Sequence, residues 1–92
     1  MNVSPIEVTF SGYKVELFVS PTPLTAESDE LQQIGASVLS EIAVDKLKNG
    51  QSAYLVGTFL NWSETERFLG KIQAQYPKAR IVEYFNGKRI GL

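Results

Sequence analysis

No cysteine and no histidine occur among the 92 residues. Without cysteine there is no disulfide, no thiolate nucleophile and no sulfur-ligated metal. Without histidine the chain lacks the commonest general base at neutral pH and the commonest zinc ligand. Neither sign of charge dominates: nine Lys and Arg against ten Asp and Glu leave a net charge of -1. A nucleic-acid binder draws much of its affinity from a basic patch, so nucleic acid is not an expected partner. No apolar run approaches the roughly 18 residues of a membrane span, and the first residues lack a signal peptide's charged and apolar regions. The domain itself is therefore expected to make no membrane contact.

What is present suits one small globular domain, with 43% hydrophobic and 21% charged residues. A chain of this size has room for one sheet and one layer of helices. Ile6, Val8 and Phe10 alternate with Glu7 and Thr9 like a half-buried strand, so residues 1–12 read as a linker or an added edge strand. In Tyr13–Ser20, "YKVELFVS", Tyr13, Val15, Leu17 and Val19 share one face, and Lys14, Glu16 and Phe18 the other. Pro21 and Pro23 end that strand. Thr25 or Ser28 can cap a helix carrying Leu31, Ile34 and Val38 on one side. Residues 37–47 fit either period; Gly35 and Ser37 weaken a helix, and Asn49-Gly50 signals a hairpin, which favours a strand. Ala53–Phe59 follows. Ser63 and Glu66 then form a capping box for a helix burying Phe68, Leu69, Ile72 and Tyr76, which Pro77 stops. Ala79–Phe85 is the last strand, with Arg80, Val82 and Tyr84 on one face.

This order predicts an α+β domain, βαββαβ and ferredoxin-like, with a four-stranded antiparallel sheet and two helices on one face. The other face would be open to a ligand. An aromatic and aliphatic strip of Phe18, Leu55, Val82 and Tyr84 would lie there, unless the N-terminal segment or a second subunit covers it.

Catalytic signals are weak. Gly57 stands alone, whereas a phosphate loop needs several glycines and a lysine; a glycine inside a strand more often marks a bulge or a close backbone approach. Trp62 offers a stacking surface, or else staples the helix start to the sheet. The carboxylates are scattered, whereas glycoside hydrolysis needs a pair held across a cleft. Lys88-Arg89 reads as a solvated terminus. No enzyme activity, metal or cofactor is expected.

Residues from Tyr13 to Ile90 resemble a sporulation-related repeat (SPOR) domain, in the version found in Bacteroidetes-type bacteria. Val56-Gly57-Thr58-Phe59 matches its V-G-x-F strand end, Trp62 an often aromatic place before the helix, and Pro77–Val82 its final strand. "EYFNGKRI" matches its tail. The first half is looser, with "YKVELF" standing for Y-x-V-Q-x-G, and Val15–Ser20 lies over Tyr54–Phe59 as a weak internal repeat. On this resemblance residues 13–92 form the domain.

The resemblance implies non-catalytic binding of peptidoglycan, as glycan strands stripped of stem peptides. It places the domain in the periplasm or cell envelope, within a larger exported or anchored protein. It puts candidate contacts on Glu16, where the family has glutamine, on Val19 or Ser20, on Gln51 or Ser52, on Ala53, and on Arg80. Phe18 and Leu55 join them from the strip described above. A protein-interaction or self-association module of the same fold, including a homodimer, is the competing expectation. A small-molecule regulatory domain of similar shape is a third.

Overall fold

The computed structural model of the chain describes residues 3–24, 29 and 42–91. Six strands form one sheet: β1 (Val3–Pro5), β2 (Gly12–Ser20), β3 (Ile42–Lys46), β4 (Ser52–Phe59), β5 (Arg80–Phe85) and β6 (Lys88–Gly91). The described residues hold one helix, α1 (Trp62–Ile72). Across the sheet the order is β1-β3-β4-β2-β5-β6. Only β1 runs parallel to its neighbour, and the five antiparallel strands curl into half a barrel.

The expected four-stranded sheet with two helices on one face is therefore corrected, and local chemistry accounts for the extra strands. Asn86 and Gly87 both take positive φ, 48° and 77°, as a two-residue hairpin loop requires. Lys88–Gly91 consequently folds back onto β5 instead of trailing into solvent. At the other edge Val3–Pro5 pairs with β3. The strand expected over Ile6–Phe10 is instead a turn, closed by the Phe10 N–H donating to the Glu7 carbonyl at 3.0 Å. The first expected helix, with its Thr25 or Ser28 cap and Leu31, Ile34 and Val38, lies outside the described residues, as do residues 37–41.

Helix α1 starts earlier than the capping box implies. Asn61 is the cap: its Oδ1 accepts the Glu64 N–H at 3.2 Å, and its carbonyl accepts the Thr65 hydroxyl at 2.8 Å. The helix ends at Ile72, ahead of Pro77, and the chain turns through Tyr76 N–H to Ile72 O at 2.9 Å. Thr65 and Ile72 are buried, with Phe68 and Leu69 packed against the core beside them.

Two irregularities of register decide which side chains face α1. Tyr13 lies opposite Phe59 but Val15 opposite Val56, so β4 carries an extra residue there, where Gly57 has φ +87°. Glycine tolerates that conformation, which L side chains avoid. Next, Glu16 lies opposite Leu55 but Phe18 opposite Tyr54, so β2 carries the extra residue. Strict alternation would put Phe18 with Lys14 and Glu16. The bulge turns it to the helix side, where its ring meets Tyr54 at 5.4 Å beside Val15, Leu17, Ile42 and Val56. Val19 is transferred to the opposite cluster.

Phe18 thus belongs to the core margin and not to an open face. Phe18→Ala should lower stability by about 2 kcal/mol, less than the roughly 3–5 kcal/mol of a fully buried phenylalanine. Urea unfolding of the variant measures this, and an unchanged midpoint would return Phe18 to the surface.

Candidate functional site

The sheet face away from α1 is not open. Ala53, Leu55, Val82 and Tyr84 form a second buried cluster on it, covered by Ile6 and Phe10 and flanked by Val19 and Leu47. The covering segment is tied to the β5–β6 turn: the Gly87 N–H donates to the Phe10 carbonyl at 2.8 Å, and the Asn86 N–H to the Ser11 hydroxyl at 3.0 Å. A Cβ on Gly87 would collide with the backbone of Glu7 and Val8, so only glycine lets the two segments close. The Phe10 ring lies 6.2 Å from that of Tyr84, and the Lys14 ammonium sits 4.6 Å from its centre. Lys14 also donates to the Gly57 carbonyl at 2.9 Å. Of the covers the sequence left open, the N-terminal segment is the one found.

Ionic contacts show that this face is the concave one. Arg89 Nη2 donates to Glu16 Oε2 at 2.8 Å, and Arg80 Nε to Glu16 Oε1 at 3.1 Å. Arg89 Nε lies 3.4 Å from Asp45 Oδ2, an ion-pair distance without hydrogen-bond alignment. The Tyr84 hydroxyl donates to the same oxygen at 2.7 Å. Arg89 is on β6 and Asp45 on β3, which a flat sheet would hold about 19 Å apart at roughly 4.8 Å per strand. Only a strongly curled sheet brings them into contact.

Burial and hydrogen bonding act on the phenol and the guanidinium of this cluster. Burial pushes the Tyr84 phenol well above its ordinary value of 10.0, and the hydrogen bond to Asp45 adds to that, while Arg89 pulls the other way. Burial, the largest single influence, would lower Arg89; its hydrogen bond to Glu16, the charge of Glu16 and its interactions with Tyr84 together outweigh this and hold it above its ordinary value.

The candidate contacts fall into three groups. Glu16, Ala53 and Leu55 are buried beneath the covering segment or in the ionic cluster. Phe18 packs on Tyr54, and the buried Ser20 hydroxyl turns back to the Thr22 carbonyl at 2.6 Å. Gln51 is partly exposed in the β3–β4 turn, bonded to Asn49. Glu16 and Arg80 are joined by an ion pair, Leu55 lies opposite Glu16, and Ala53 and Leu55 share the concave cluster. The sequence reading misses Asp45, takes Arg89 as part of a solvated terminus, and puts Tyr84 in the apolar strip without its hydrogen bond to Asp45. A charge at Asp45 within "IAVDK" was a signal for the first, whereas nothing local marks Arg89 as an inward-facing residue.

One of two accessible hollows among the described residues is a groove of about 500 Å³ between α1 and the start of β5; the other, of about 510 Å³, is lined by residues such as Pro5, Val44, Asp45 and Tyr54. Trp62, Glu66 and Leu69 follow one stripe of α1, continued by its C-cap residue Gln73, and Arg80 and Ile81 line the other side. The stripe runs about 16 Å along the 11-residue helix at roughly 1.5 Å per residue. Trp62 is 40% exposed, and its indole stands edge-on to Tyr13 with centroids 5.5 Å apart. That contact fixes the ring at the helix start, as a staple would, and leaves it available to a ligand.

The Tyr84 shift has a testable sign. A phenol raised in the folded state stabilises fully below its ordinary value, and that stabilisation is lost as rising pH ionises the unfolded chain first. Stability should therefore fall more steeply between about pH 9 and 11 in the native chain than in Tyr84→Phe. Urea midpoints across that range decide it, and parallel declines would count against it.

Compared with family models, with curated proteins and with solved structures, the chain matches none, so the SPOR resemblance rests on its sequence motifs.

Proposed function

We propose that the chain is a non-catalytic glycan-binding domain of the bacterial cell envelope, and that the groove between α1 and β5, not the closed sheet face, meets the glycan. The observation that carries this reading is the half-exposed Trp62 at the end of an elongated groove walled by Glu66, Gln73 and Arg80. An indole offers a flat apolar surface to the C–H face of a sugar ring. The Glu66 carboxylate and the Gln73 amide offer acceptors and donors of the kind ring hydroxyls use. The groove's length suits a linear oligomer. Among the described residues its wall contributes a single carboxylate, Glu66, whereas glycoside hydrolysis works with two flanking the bond. The sequence resemblance supplies the ligand class, peptidoglycan strands freed of stem peptides, and the periplasmic or envelope setting.

A second reading, a protein-interaction or self-association module, is favoured by Phe85 and Ile90. They are 58% and 57% exposed near the free edge of the sheet, at β6.

Sedimentation with purified sacculi, before and after an amidase strips the stem peptides, separates the two. The glycan reading expects retention on denuded sacculi and at least about a tenfold weaker retention for Trp62→Ala, the scale of a lost aromatic anchor. Failure of the native chain to bind denuded sacculi would sink it. A mass that rises with concentration in light scattering would then support self-association.

A further inference from the structure

We infer that the chain pairs with a second copy of itself through the convex side of β5 and β6, the two sheets crossing at about a right angle. The inference deepens the self-association reading and is independent of the glycan one. Val82 and Tyr84 face the concave cluster, so Glu83 and Phe85, which alternate with them on β5, face the convex side. Lys88 lies directly opposite Phe85 on β6, and its side chain therefore shares that side. Helix α1 packs over β2, β4 and β5 but does not reach β6. Among the described residues no element covers this end of the face, and Phe85 is left 58% exposed. Glu83 and Lys88 flank it, and neither side chain has an ionic or hydrogen-bond partner among the described residues.

The placement of these three residues decides both the partner and the geometry. Glu83 lies two residues, about 7 Å, along β5 from Phe85, and Lys88 about 5 Å across the sheet from it. A twofold axis running along β5 through the Phe85 contact would set Glu83 against its counterpart. An axis running across the strands would do the same to Lys88. Both aligned packings thus oppose like charges, which is destabilising. An axis bisecting the angle that Glu83 and Lys88 make at Phe85 instead carries Lys88 of each copy onto Glu83 of the other, with the two Phe85 rings in contact between them. The strands then cross at about 90°, the orthogonal way in which sheets pack face to face. A patch with one charge of each sign, set so that each meets the other, complements itself, as a twofold interface requires. Edge-to-edge pairing through β6 is disfavoured. Ile90 is an extra residue in that strand, since Glu83 lies opposite Gly91 and Tyr84 opposite Arg89. A bulge or a lysine on an edge strand works against the addition of a further strand. The patch is small against the roughly 800 Å² per partner of a stable complex, so the dimer is weak and reversible.

Sedimentation equilibrium of the full chain at concentrations up to about 1 mM, where even a weak pair forms, tests this. The average mass should rise from the 10.2 kDa of one chain toward twice that. Phe85→Ser should weaken the dimer at least about tenfold. Glu83→Lys and Lys88→Glu should each do the same, because each sets like charges against one another across the axis. The decisive measurement mixes these two charge variants in equal amounts. Each is mostly monomer alone, and together they should form a heterodimer of about native affinity, because every facing pair is again opposite in charge. A native far-UV spectrum is required of each variant. A native chain that keeps the mass of one copy throughout overturns the inference, and the self-association reading with it. A native dimer that the charge variants leave unchanged, or a mixture that gains nothing over its components, overturns this face and leaves self-association standing through another surface.

Discussion

Glu16 lies inside the curl of the sheet with an arginine on each side, Arg80 from β5 and Arg89 from β6. Burying a carboxylate is costly, and a buried ion pair stabilises only when geometry and partners are complete; losing one partner leaves an uncompensated charge. Arg80 comes from the neighbouring strand β5, opposite Glu16, and Arg89 from β6 one strand further. The contact that needs the curl is the one from Arg89 to Asp45 on β3. Asp45 and Tyr84 extend the same cluster to β3, so strands separated in sequence and across the sheet are joined on the concave side.

Once the sheet is curled, its two faces need different covers. The convex face receives α1 and a core of Val15, Leu17, Ile42, Tyr54, Val56 and Ile72. The concave face is filled by Ala53, Leu55, Val82, Tyr84 and the ionic cluster, and Ile6 and Phe10 close it. Two one-residue irregularities, at Gly57 in β4 and near Leu17 in β2, assign side chains to these covers. Because strand periodicity is two, each inserted residue switches the face of everything beyond it. Phe18 and Val19 change places for that reason alone.

Closure of the concave face moves attention to the groove beside α1. Arg80, at the start of β5, pairs with Glu16 on the concave side. The same strand supplies Ile81 to the groove and, one residue on, Val82 to the concave cluster.

Local pattern determined the positions of β2, β4, α1 and β5 to within a few residues. Alternation, Asn-Gly turns, prolines and the polar residues before α1 act over a few bonds. It also pointed to Gly57 as a structural glycine and to Trp62 as either staple or stacking surface. The strand count, the fate of the tail and the closed face were not legible in the same way. They depend on Asn86 and Gly87 turning the chain back, on residues 6–10 crossing the sheet, and on register shifts that alternation cannot reveal. The sequence by itself determined which segments become strands and helix, because those preferences are local. Only the tertiary structure decided that Glu16 is buried between Arg80 and Arg89, because the pairing with Arg89 spans 73 residues of sequence and exists only once β6 folds back onto β5 beside β2.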